Sequence, residues 1–99
     1  MQLLRAVMRL AGPHVELIRH TERAWASVTF TGTRHTIALG FEGEDGVAAG
    51  EAFVAALADH EFAISRQIVA DAAVVAMTQE MLPHPRMEVE AELLLLEDC

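Results

Sequence analysis

Five histidines, one tryptophan, an aspartate inside an apolar run and a row of glutamates are the residues of this 99-residue chain equipped for chemistry. The histidines are His14, His20, His35, His60 and His84. Imidazole ligates transition metals and titrates near neutrality. No two of them have the His-x-x-x-His spacing of a helical zinc site, and no cysteine pair accompanies them. The spacing favours surface or capping histidines. A site from two or three of them with Glu16 or Glu22 exists only if the fold assembles it, and no metal or cofactor is expected.

Asp71 shares strand parity with Val69, Ala73 and Val75. A buried, unpaired carboxylate is costly and is pushed toward its neutral form. The expectation is therefore a frayed strand end or a partner such as Arg66 or Arg34. A carboxylate in a pocket is the functional alternative. Trp25 lies on a polar strand face beside Ser27, where an indole either packs under a neighbouring segment or meets a ligand. Asp59-His60-Glu61 looks catalytic only on paper, because adjacent helical residues point in different directions. Glu88, Glu90 and Glu92 line one face of a strand, a solvated row that cross-strand Arg or Thr neighbours would relieve. A single row does not surround a cation. There is no Gly-x-Ser-x-Gly, phosphate-binding loop or dinucleotide fingerprint, so no catalytic residue is assigned and an enzyme is not the expectation.

The elements that would position these residues follow from hydrophobic period. Leu3, Leu4, Val7, Met8, Leu10 and Ala11 share a helical face, and Gly12-Pro13 is a stop signal. Residues 1–12 thus read as a docking helix or arm. Val15 to Phe41 reads as β. A first run ends at a turn or bulge at Thr21-Glu22-Arg23, and a second alternates from Ala24 to Thr31. A hairpin turn at Thr31-Gly32-Thr33 leads into a third, Arg34 to Phe41. Acidic Glu42 to Gly46 precedes the main helix, Val47 to His60. Gly50 lies in its apolar stripe, which implies close approach of helix to sheet. Ile68 to Thr78 and Arg86 to Leu96 are the last strands, separated by the prolines of Leu82-Pro83-His84-Pro85.

The predicted fold is α+β. It is a single-domain, two-layer sandwich with a mostly antiparallel sheet of four to five strands, one main helix and a short N-terminal helix. The helix is expected over Val28, Phe30, Ile37, Leu39, Val75, Val89 and Leu93.

Composition bounds the partners. Fifteen acidic residues against seven scattered arginines give a net charge of -8. That balance argues against nucleic acid and disfavours anionic membranes, so neither is an expected partner. No apolar run is long enough to span a bilayer or serve as an export signal, and Cys99 is the only thiol. Both fit a cytoplasmic protein.

Two functions are compatible with these features. The first is association, as a homodimer. Ala70, Ala72, Val74 and Ala76 form a second apolar face on one strand, and Leu94 and Leu96 interrupt an acidic one. Such patches mark contact surfaces. The second is a cleft between helix and sheet, edged by Trp25, His35, Arg66 and Asp71, that holds a small polar ligand.

Overall fold

A computed structural model describes residues 2–97, so Met1 and the expectations attached to Cys99 lie outside the described residues. The chain runs α1 (Gln2–Ala11), β1 (Val15–Ala26), β2 (Thr31–Glu42), α2 (Gly43–Leu57), β3 (Gln67–Glu80) and β4 (Arg86–Glu97). The four strands make one antiparallel sheet in the order β1-β2-β4-β3. Both helices cover a single face of it, so the architecture is the two-layer α+β sandwich that the periodicity implies.

The central strands supply most of the core. Ile37, Leu39 and Phe41 of β2 face the helices with Met87, Val89, Ala91, Leu93 and Leu95 of β4, and all are buried. Leu3, Val7 and Ala11 of α1 and Val47, Phe53 and Leu57 of α2 close the layer from above. Spacings of four put the α1 trio on one helical stripe, and Gly50 between Val47 and Phe53 gives α2 its spacings of three, three and four. Gly50 marks the closest approach. A Cβ there would stand 2.8 Å from Met87 Sδ and 3.0 Å from the Phe41 ring. α1 packs beside α2 and is pinned at its start, where Gln2 Oε1 accepts from the Ser65 backbone N–H at 3.0 Å.

Several boundaries differ from the sequence reading. Three strands before α2 become two. The β1–β2 turn spans Ser27 to Phe30, where the Phe30 N–H donates to Ser27 Oγ at 3.1 Å, and Thr31-Gly32-Thr33 belongs to β2. Val28 and Phe30 are therefore exposed loop residues instead of core. Thr21-Glu22-Arg23 lies within β1. α2 starts four residues earlier, at Gly43, and ends at Leu57, before His60.

Three bulges account for the remaining differences. Ile18, Ala70 and Val75 are each an extra residue on an edge strand, opposite none on its partner. A bulge exchanges the two faces of everything beyond it. Val75 is thus half exposed, whereas Val74 and Ala72 pack against the core.

Candidate functional site

Ile18 determines which way the chemistry of β1 points. Before it, Val15 and Leu17 pair with the core residues Phe41 and Leu39. After it, His20 pairs with Ile37 and Glu22 with His35, so both turn to the helix-covered face. Strict alternation from Val15 would have left His20 and Glu22 on the opposite side. His20 and Glu22 are two apart on β1, and His35 of β2 is Glu22's direct partner. Three side chains able to ligate an ion meet partway along the β1–β2 ladder.

Their atoms are close. His20 Nε2 and His35 Nδ1 are 2.9 Å apart, and the rings are stacked with centroids 5.2 Å apart. His35 Nδ1 lies 3.4 Å from a Glu22 carboxylate oxygen. One ligand atom from each of the three falls within 4.8 Å of the others. His35 is buried to 3% exposure, His20 is half-buried and Glu22 is exposed, so the group runs from core to solvent. Burial holds the His35 imidazole below its ordinary value of 6.5. Glu22 opposes that shift, while His20 adds to it.

A cleft of about 260 Å³ opens beside this group, lined by Gln2, Leu3, Glu22, Thr33, His35, Ile64, Ser65 and Gln67. It forms where the start of α1, the β1–β2 ladder and the segment entering β3 converge. The Gln2 amide donates to Ser65 Oγ at 3.2 Å, which fastens two of its walls together. A larger groove of about 590 Å³ lies between α1 and β1, lined by Leu4, Met8, Leu17 and neighbours. It carries arginines but no carboxylate or imidazole.

Of the four residues expected around a cleft, only His35 is there. Trp25 pairs with Gly32 on the sheet's open face, and Asp71 pairs with Leu94 on that same face. Arg66 holds a left-handed turn (φ 62°) just before β3, where the Gln67 N–H donates to the Ile64 carbonyl. Asp71 does not share a face with Val69, because the Ala70 bulge separates them. Arg34, a possible partner for it, pairs with Glu92 at 3.0 Å.

The six residues expected at an interface are also divided. Ala72 and Val74 pack against the core, and Ala70 is a bulge residue. Ala76, Leu94 and Leu96 lie on the open face. One row across that face runs Trp25, Gly32, Leu96, Ile68, with Leu94 in the next row. Farther along, the glutamate row is neutralised across the strands. Arg19 meets Glu90 at 3.1 Å, Arg34 meets Glu92, and Arg86 reaches Glu88, Glu42 and Glu16.

Sequence reasoning did not find Gln2, Thr33, Ser65 or Gln67, which carry no motif and converge only through the fold. His20 and Glu22 did leave a signal, their spacing of two on a strand. No family model matches the chain, and neither a curated protein nor a solved structure shows significant similarity to it. No helix among the described residues is long and apolar enough to cross a membrane.

Proposed function

We propose that this protein binds a small polar ligand in the cleft between α1, the β1–β2 ladder and the start of β3. The observation that carries this reading is the convergence of Glu22 and His35 on the cleft, with His20 held against His35. Ligand sites pair a concave surface with a few fixed polar groups. Here the fixed polar group is the buried His35, its register partner Glu22 reaches it from the solvent side, and Gln2, Thr33, Ser65 and Gln67 add amides and hydroxyls.

A thermal-shift survey of polar metabolites and divalent ions tests the reading. At least one compound should raise the melting temperature of the wild-type protein, and Glu22→Gln or Thr33→Val should remove most of that rise. A survey in which nothing stabilises the wild type would sink it. Trp25 fluorescence is a poor reporter for this purpose, because the indole lies on the opposite face of the sheet.

Homodimerisation is a second reading, favoured by the apolar row on the open face. Ile68 is 58% exposed there, next to Leu96 and in line with Trp25. The two readings use opposite faces of the sheet and can both hold.

A further inference from the structure

We infer that the ligand of this cleft is a divalent transition-metal ion held by His20 Nε2, His35 Nδ1 and a Glu22 carboxylate oxygen. The inference rests on the cleft reading and gives its ligand a chemical class. Its first support is spacing. An ion about 2.0–2.1 Å from each ligand, at a tetrahedral angle, holds neighbouring ligand atoms about 3.3 Å apart. Two of the three separations, 2.9 and 3.4 Å, lie on either side of that value, and the third, His20 to Glu22, is within 4.8 Å. Small side-chain adjustments suffice, and His20 and Glu22 have the exposure to make them.

The second support is the electron count at the meeting point. Two imidazole nitrogens and a carboxylate oxygen face one small volume, one of the nitrogens as an N–H donor to the other. In the neutral state a single N–H is shared among them, since the facing nitrogens cannot both be bare acceptors at 2.9 Å without repulsion. A divalent cation in place of that proton satisfies all three at once.

Ligand type narrows the ion. Two imidazoles with one carboxylate suit zinc, iron(II), cobalt(II), nickel(II) or copper(II), whereas magnesium and calcium prefer all-oxygen shells. Three protein ligands leave at least one coordination position unfilled, and two of the three, Glu22 and His35, also line the cleft. The pattern is that of an open site, in contrast to the closed four-ligand shell of a structural zinc. The acidic chain also draws cations, with a net charge of -8.

The test is calorimetric titration of chelator-stripped protein with zinc chloride, and with cobalt(II) followed by visible absorption. Cys99→Ser serves as the background, so that the thiol supplies no ligand. One ion should bind per chain. His20→Gln and Glu22→Gln should each weaken binding by more than about tenfold, the least that losing even an outer partner of a metal ligand commonly costs. Circular dichroism of both variants confirms that they fold. Absence of binding by the stripped, folded protein overturns the inference. So does binding that both variants retain, which would place the ion on other histidines. If a metal-free metabolite stabilises the protein through Glu22 and Thr33 while zinc and cobalt do not bind, the cleft reading survives and the metal inference falls.

Discussion

Glu22 and His35 are direct partners across the β1–β2 hairpin, and the exposed carboxylate comes within 3.4 Å of an imidazole only 3% exposed. The pair links solvent to the edge of the core. A proton or ion held at Nδ1 is thus in contact with both, and the chain around it should respond to pH.

In metal-free protein, burial keeps His35 below its ordinary 6.5, so the folded state takes up this proton less readily than the unfolded chain. The His35 contribution to stability is complete above about pH 6.5. It is lost as pH falls from there through the lowered folded value, because the unfolded chain protonates first. Urea denaturation at pH 7.5 and at pH 5 should show lower stability at pH 5. His35→Gln should flatten that difference, and an unchanged difference would mean another group controls it.

Gly50→Ala should destabilise, although alanine favours helix by up to about 1 kcal/mol. The new methyl would meet Met87 Sδ at 2.8 Å and the buried Phe41 ring at 3.0 Å. Overpacking typically costs about 1–3 kcal/mol, which outweighs the propensity gain. A net loss of about 1 kcal/mol lowers the melting temperature by roughly 4–8 °C in a chain this size. A higher melting temperature would show that α2 can lift off the sheet without cost.

For the homodimer reading, Ile68→Glu with Leu96→Glu should halve the mass measured by sedimentation while leaving circular dichroism unchanged. Both positions are on the open face, so the substitutions leave the helix-covered layer intact. Val74→Glu is a different experiment. It puts a carboxylate against the core and should cost about 2 kcal/mol or more of fold stability. A wild-type protein that sediments as a monomer at micromolar concentration would remove this reading.

Arg86 gathers three carboxylates from three different elements: Glu16 of β1, Glu42 at the end of β2 and Glu88 of β4. Its side chain is 26% exposed, so solvent screens it only in part. Arg86→Gln should lower the stability at low ionic strength, from the lost pairs and the repulsion left behind. The difference from wild type should shrink in 1 M salt. Equal losses at low and high salt would point to packing by the arginine stem.

The layers of the fold were legible because the central strand β4 alternates without interruption. Met87, Val89, Ala91, Leu93 and Leu95 face the helices as their parity requires. Close approach at Gly50 was legible too, since a helix-weakening residue in an apolar stripe needs a packing reason. The site was not legible, for two local reasons. A hairpin turn at Ser27 to Phe30 instead of at Gly32 moves the β1–β2 register and brings Glu22 opposite His35. The Ile18 bulge then turns His20 and Glu22 inward. Neither residue type announces its effect: isoleucine is an ordinary strand former, and Thr31-Gly32-Thr33 is the better turn by composition. The same weakness misplaced Asp71 and Val75 in β3.

All three bulges fall in β1 and β3, the outer strands, while the β2–β4 pairing is regular throughout. A free sheet edge offers an unpaired row of amides and carbonyls on which further chains can template, and flat edges seed fibres. Ile18 on one side and Ala70 and Val75 on the other break those rows into short lengths. In a chain rich in valine, leucine and alanine such breaks oppose edge-to-edge pairing, and the residue that rotates His20 and Glu22 into place is also one that interrupts the ladder of its edge strand.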